Sequence, residues 1–215
     1  MPDSLRRHTD YGRTPLREAD VAADPIAQFV TWLDQAERAG VYEPNAMVLS
    51  TIDPDGLPSS RTVLLRGIDE QGLRYFTSYS SDKGRALFAH PEVSLAFPWY
   101  TIHRQVIVRG TATPTDAAAS DAYFAARPRG AQIAAVASDQ SRPIASREAL
   151  EQKVRDVEER LGADDPVARP EDWGGFLVRP STIEFWQGRT SRLHDRLRFT
   201  RSAAASGWIR ERLQP

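Results

Sequence analysis

At 215 residues, with 40% hydrophobic and 27% charged side chains, the chain has ordinary globular composition and enough apolar material for one generous domain or two small ones. A formal net charge of −1 argues against nucleic acid or an anionic membrane surface as a general partner, so any anion has to be caught by local basic clusters. The absence of cysteine excludes disulfides, thiolate metal sites and cysteine nucleophiles.

Residues 1–23 read as an irregular, flexible tail carrying Arg6, Arg7, Arg13 and Arg17. The tail lacks the apolar core of a signal peptide, and no run of roughly 18 apolar residues offers a membrane span, so a cytoplasmic location without membrane partners is expected. Asp24-Pro25 supplies an N-cap and a proline at the first helical position. Ile26, Phe29, Val30, Leu33 and Ala36 follow at helical spacing, and Gly40 stops the helix. From Ala46 the period becomes that of a strand. Ala46–Asp53, Pro58–Ile68 and Leu73–Tyr79 are three strands joined by turns, and as neighbours they suggest an antiparallel meander. A short helix is expected over Ser81–Ala89, then strands over Glu92–Trp99 and Arg104–Thr113. Thr115-Asp116 caps a helix running to Arg127, residues 129–138 add a short one, and Ser146 caps another with Leu150, Val154, Val157 and Leu161 on one face. Gly175–Val178, Thr182–Trp186, Leu197–Arg201 and Trp208–Leu213 close the chain as strands. This order predicts an α+β fold with an antiparallel barrel at its centre, in a single domain over residues 24–215.

The residues that could carry chemistry are mostly arginines. Paired-His metal helices, phosphate-cradling Gly-x-x-x-x-Gly-Lys and dinucleotide Gly-x-Gly-x-x-Gly are absent, and the four histidines are scattered, so no metal is expected. Lys83 and Lys153 are the only lysines; a GC-rich coding sequence is the simplest source of the arginine bias, although the guanidinium fork also suits phosphate. In Ser191-Arg192-Leu193-His194-Asp195-Arg196 an extended backbone places Arg192, His194 and Arg196 on one face. Spacing alone leaves a solvated arginine ladder open. Arg61 and Arg66, five apart along an apolar strand, fall on opposite faces and could grip two different anions, or both face solvent. Tyr123 and Arg127 are four apart on the expected helix and share a face, as either a phosphate site or a surface pair.

Several segments together resemble the pyridoxamine 5′-phosphate oxidase family: Phe97-Pro98-Trp99, Arg104-Gln105-Val106, Arg127-Pro128-Arg129-Gly130-Ala131-Gln132, the Ser138 to Ile144 stretch, Trp173-Gly174-Gly175, Glu184-Phe185-Trp186-Gln187-Gly188, Arg192-Leu193-His194-Asp195-Arg196 and the closing Glu211-Arg212-Leu213-Gln214-Pro215. They occur in order from about Pro25 to the C-terminus. The resemblance implies an FMN-binding split β-barrel of antiparallel, Greek-key type with peripheral helices. It also implies a homodimer holding FMN at its interface.

The implied activity is oxidation of pyridoxamine or pyridoxine 5′-phosphate to pyridoxal 5′-phosphate, with O2 as acceptor. Carried over residue by residue, Arg61 and Lys83 meet the FMN phosphate region. Thr62, Val63, Leu64, Leu65, Arg66, Phe76 and Thr77 run along the cofactor, and Gln105, Gln140, Ser141, Trp186 and Arg196 complete its contacts. Arg66, Tyr123 and Arg127 hold the substrate phosphate, while Arg192 and His194 frame the pyridine ring as the catalytic pair. Four positions depart from the family pattern: Arg66 stands for a lysine, Asp82 for an arginine and Ala131 for a serine, and Arg6-Arg7-His8-Thr9 lacks the tyrosine of the family's substrate-covering segment. The alternatives are a split-barrel flavoenzyme for another ring, such as a phenazine-type oxidase, or a non-catalytic flavin- or pyridoxal-phosphate-binding protein.

Overall fold

The computed structural model describes residues 2–6, 8–162, 165–202 and 207–215; Arg7 of the expected tail lies outside them. Among the described residues nine strands form one antiparallel sheet: β1 Ala46–Ile52, β2 Pro58–Leu64, β3 Gly67–Asp69, β4 Gly72–Ser78, β5 Glu92–Trp99, β6 Arg104–Pro114, β7 Trp173–Gln187, β8 Asp195–Arg201 and β9 Trp208–Leu213. The helices are α1 Pro25–Arg38, α2 Asp82–Ala89, α3 Ala117–Ala125, α4 Arg129–Ala137 and α5 Arg147–Arg160. None of the described helices is long and apolar enough to cross a membrane. Four of the five begin at the expected kind of cap: the side chains of Asp24, Ser81, Asp116 and Ser146 each accept a hydrogen bond from a first-turn N–H.

The sheet runs in the order β2-β1-β5-β6-β7-β4-β3, with β8 added to β7 and β9 to β8. The expected meander is therefore incorrect. β1 and β2 form a hairpin, but β4 pairs with β7, on the other side of the sheet. The strand expected over 58–68 is broken at Leu65-Arg66. Leu65 N–H donates to Asn45 O and Arg66 N–H donates to Arg74 O, so these two residues cross from one end of the curled sheet to the other. That crossing marks the split of the barrel.

A second correction concerns the end of the chain. The two strands expected at 175–178 and 182–186 are one 15-residue strand, β7. Its register against β6 shifts between Arg109 and Gly110, opposite Pro180. Proline has no N–H for a ladder and is tolerated in a central strand at such a bulge. The extra residue flips the facing: Phe176 and Val178 point inward before it, Ile183 and Phe185 after it.

Those side chains join Met47, Leu49, Leu95, Phe97, Val106, Val108, Leu197 and Phe199 in one core. α1 plugs it, with Phe29 against Phe97 at 4.8 Å and Trp32 against Phe185 at 5.2 Å between ring centres. α4 and α5 share a smaller apolar cluster around Ile133, Ala137 and Val157. The segment expected as a tail lies against the barrel from Tyr11 onward. Leu16 and Val21 are buried in the core, and Arg212 of β9 pairs with Glu18 at 2.6 Å.

Gly110 is the tightest point of the bulge, since a Cβ there would collide with the carbonyl of Arg179. Gly110→Ala is expected to cost about 1–3 kcal/mol, the range of core overpacking. Gly130, with nothing within 4 Å of a Cβ, tolerates alanine. Thermal unfolding of the two variants checks this; equal melting temperatures would refute the bulge as a steric constraint.

Candidate active site

One cleft of about 840 Å³ opens where β2, β4, α2 and the turn between α3 and α4 meet. Eleven of the expected site residues line it: Arg61, Thr62, Val63, Leu64, Arg66, Phe76, Thr77, Lys83, Tyr123, Arg127 and Gln140, together with Ala131 and Trp173. Leu65 instead points into the core, 5% exposed. Arg61 and Arg66 were expected on opposite strand faces, but β2 ends between them and both reach the same cleft. α3 likewise ends before Arg127, and the turn that follows still brings it to the cleft beside Tyr123.

Lys83 sits at the start of α2. The cap residue Ser81 donates its hydroxyl to Ser78 O at 2.7 Å, and a Cβ on Gly84 would collide with the Tyr79 backbone, so this turn lies directly on the end of β4. Lys83 is 8% exposed, and its ammonium donates to Gln140 Oε1 at 2.7 Å, Thr77 Oγ1 at 3.2 Å and Ser81 Oγ at 3.4 Å. All three partners are neutral. Its neighbour Asp82 turns its carboxylate to Arg85 at 2.6 Å. Burial, reinforced by the positive charge of Arg61, pushes the Lys83 pKa down to about 8. Arg61 also donates only to neutral oxygens: Thr51 Oγ1 at 2.7 Å, Ser59 Oγ at 2.6 Å and the carbonyls of Ser59 and Leu49.

A second cationic pair occupies the same cleft. Burial lowers the pKa of Arg127, Tyr123 opposes that shift, and Arg66 adds to it. Arg127 Nη1 is buried without a hydrogen-bond partner. Two pairs of cations with neutral surroundings are what a ligand with two separated anionic groups, or two phosphorylated ligands, would fill.

The remaining expected residues lie elsewhere. Phe76 pairs with Gly175 at one end of β7, whereas Gln105 pairs with Trp186 near the other. The extended chain between those β7 positions covers roughly 35 Å at about 3.3 Å per residue. At the far end Trp186 lies 4.7 Å from His194, ring to ring. Arg192, His194 and Arg196 do not share a strand face as expected. Thr190–Arg192 is a tight turn with Ser191 and Arg192 at φ of 57° and 63°, and β8 begins only at Asp195. His194 Nδ1 accepts from the Arg189 N–H at 3.1 Å, which leaves Nε2 to carry the proton of a neutral ring. Burial and then Arg192 hold the His194 pKa below its ordinary value. Arg196 forms a two-point pair with Glu184 at 2.8 and 3.1 Å. Ser141, in a left-handed conformation after α4, lines a small separate hollow.

Tyr11 belongs to this second cluster and was not anticipated. Its ring packs on His103 at 5.0 Å, His194 at 5.5 Å and Trp186 at 5.9 Å, and the Arg192 guanidinium stands 5.7 Å over it. An isolated tyrosine beside Gly12 in an aperiodic segment carries no pattern that would reveal this.

A curled antiparallel sheet of this order, with a cationic cleft at one end of its longest strand and an aromatic and imidazole cluster at the other, defines the split-barrel class. Residues 33–161 match the family model described as pyridoxamine 5′-phosphate oxidase, and residues 173–215 match that of the pyridoxine 5′-phosphate oxidase C-terminal dimerisation region. The chain belongs to the pyridoxamine 5′-phosphate oxidase family. It is 52% identical over 220 residues to a pyridoxine/pyridoxamine 5′-phosphate oxidase of Rubrobacter xylanophilus, covering 100% of both chains. A protein of the same name from Burkholderia lata is 51% identical over 207 residues, 96% of each chain. The solved structure of PhzG from Burkholderia lata, in complex with tetrahydrophenazine-1-carboxylic acid, superposes with a TM-score of 0.87 at 30% identity, covering 95% of this chain and 100% of that one.

An anion held by Lys83 would bind in a pH-dependent way, because burial lowers the pKa of that lysine. Below about 8 the ammonium is already charged; above it a proton must be taken up before the lysine can pair with a phosphate. Phosphate-ester affinity is therefore expected to fall as pH rises through about 8, with proton uptake on binding at pH 9. Calorimetry in two buffers of different ionisation enthalpy measures that uptake. Identical heats and a flat affinity between pH 7 and 9 would remove Lys83 from the anion site.

Proposed function

We propose that this chain is an FMN-dependent oxidase that converts pyridoxamine 5′-phosphate or pyridoxine 5′-phosphate to pyridoxal 5′-phosphate. The amine substrate, O2 and water give the aldehyde, ammonia and hydrogen peroxide; the alcohol and O2 give the aldehyde and hydrogen peroxide. The observation that carries the reading is the division of the expected site within one chain. Two cation pairs line one cleft, and the ring-binding cluster lies at the opposite end of β7. A homodimer formed through the dimerisation region at 173–215 would bring one chain's cluster to the other's cleft.

The donor set fits FMN. Lys83 and Arg61, without carboxylate partners in their hydrogen bonds, would hold its phosphate, with Gln140 and Thr77 orienting the ammonium. The strand backbone of Thr62 to Leu65, the ring of Phe76, and Gln105, Ser141, Trp186 and Arg196 complete the assignment. When bound, FMN would supply a two-electron acceptor for the oxidation at the substrate C4′ carbon, with oxygen as the final acceptor. Arg66, Tyr123 and Arg127 hold the substrate phosphate. Arg192 and His194 keep the pyridine ring flat at reactive distance, a proximity effect. A neutral His194 can do so without adding a second positive charge beside Arg192.

The similarity to PhzG favours a second reading, oxidation of a different ring. Two features weigh against it. The Arg66–Arg127 pair suits a phosphate dianion. In Burkholderia lata the relative named for the B6 reaction is 51% identical to this chain and PhzG 30%.

The test begins with the visible spectrum and the mass of the released cofactor, then follows peroxide release with pyridoxamine and pyridoxine 5′-phosphates. Arg192→Ala is expected to keep its flavin yet lose roughly 100-fold in kcat/KM, the scale of a misplaced reactant. A variant that turns over at the wild-type rate at every substrate concentration would disprove the ring-framing role. A wild-type protein that releases no peroxide with either substrate would disprove the activity.

A further inference from the structure

The Trp173-Gly174-Gly175 motif has no task in the function described above. Trp173 opens β7, is 7% exposed and forms part of the cleft wall. Its backbone is fixed on both sides. The N–H donates to Pro170 O at 3.0 Å, and the carbonyl accepts from Arg169, which is itself paired with Asp121 of α3 at 2.6 Å. The glycines that follow admit no side chain: a Cβ on Gly174 would collide with the Tyr79 hydroxyl, and one on Gly175 would lie 2.6 Å from Thr115 Oγ1 and 2.8 Å from Phe76. α3 can therefore lie close against the start of β7, and the residues at its end arrive over the indole.

Three rings are stacked there. Phe76 and Tyr123 lie 3.8 Å apart at 9°, and Trp173 is parallel to Tyr123 within 5°. The Arg127 guanidinium covers the Trp173 ring at 4.7 Å and lies 5.7 Å from Phe124, while its Nη1 is buried and unpartnered. A carboxylate partner would compete with a ligand for the guanidinium N–H groups. An aromatic face attracts the cation through its quadrupole and leaves the in-plane N–H groups free.

We infer that Trp173 is a positioning residue for the substrate phosphate: its indole face holds the Arg127 guanidinium in place at the wall of the cleft. The inference rests on the function proposed above. It differs from a core-filling role in one respect. A filler needs only volume, whereas a cation support needs a flat electron-rich face, and its loss is felt only by ligands that carry the phosphate.

The experiment uses Trp173→Phe and Trp173→Met in the FMN-loaded protein. The Kd values of pyridoxal 5′-phosphate and of unphosphorylated pyridoxal are read from the perturbation of flavin absorbance, and FMN affinity is titrated separately. The Met variant is expected to bind the phosphorylated ligand ~10-fold more weakly, the scale of a desolvated cation–π contact, with pyridoxal and FMN affinities changed less than about twofold. The Phe variant falls between, about threefold weaker, because benzene is a poorer cation platform than indole. Equal losses for both pyridoxal ligands, or an unchanged ratio in the Met variant, overturn the inference. Should the Met variant not fold, the Phe variant decides, and an unchanged phosphate preference there also overturns it. A wild-type protein indifferent to the phosphate removes the proposed substrate along with this role. A phosphate-selective wild type with an equally selective Met variant removes only the role of Trp173.

Discussion

β7 is shared by three neighbours. β6 pairs along most of it, β4 takes its first half, from Trp173 to Val178, and β8 takes its second half, from Thr182 to Gln187. A regular strand presents alternate residues to the same face throughout, whereas in this strand the buried set changes parity between its two halves. The bulge at Arg109 and Gly110, opposite Pro180, produces this change by moving the inward set from even to odd positions. Everything placed on the two ends of β7 depends on that shift. Trp173 and Gly175 carry the cleft at one end, and Trp186 carries the imidazole cluster at the other.

The same geometry separates the charges by task. Around β8 and β9 the arginines are closed into pairs: Arg196 with Glu184, Arg198 with Glu211, Arg189 with Asp195, and Arg212 with both Glu18 and Asp195. These contacts tie the N-terminal segment and the last strands together and mostly lie at least partly exposed, where each contributes little alone. In the cleft the pattern reverses. Lys83 and Arg61 donate only to neutral oxygens, and Arg127 keeps a buried nitrogen unpaired. Lys83 is buried and Arg61 and Arg127 are half-buried, and cations so placed without carboxylate partners are costly unless a ligand completes them, so their gathering in one cleft argues for an anionic ligand.

Much of this was legible in the sequence, for definite reasons. Ser and Asp caps act through local hydrogen bonds and a first-turn proline through its fixed φ, and Asp24, Asp116 and Ser146 cap the helices where the sequence placed them. Strand-period runs such as Glu92–Trp99 are equally local. Two kinds of expectation failed, one over a non-local pairing and one over a local backbone conformation. The meander was inferred from sequence proximity, yet β4 finds its partner about a hundred residues later, in β7. The strand face assigned to Arg192, His194 and Arg196 assumed an extended backbone, whereas Ser191 and Arg192 adopt left-handed conformations. Nothing about serine or arginine signals that geometry. The ordered motifs supplied the membership in the family, but only the fold shows that the residues they mark fall into two groups a strand-length apart.

The departures from the family pattern also look different in three dimensions. Asp82, in place of a cation, could have neutralised Lys83; instead its carboxylate is engaged by Arg85, on the exposed side of α2. Lys83 thus makes no ion pair with Asp82, although that carboxylate partly opposes the lowering of its pKa by burial and Arg61. Ala131 lines the cleft without a hydroxyl, so under the proposed function the substrate phosphate would be held on that side by Arg66, Arg127 and the Tyr123 phenol. Arginine at position 66 offers two parallel donors where lysine offers a point charge, and that second donor can take over the hydrogen bond a serine would have made. Arg66 and Ala131 line the same cleft, so under the proposed function the extra donor at 66 would stand where the hydroxyl at 131 is missing.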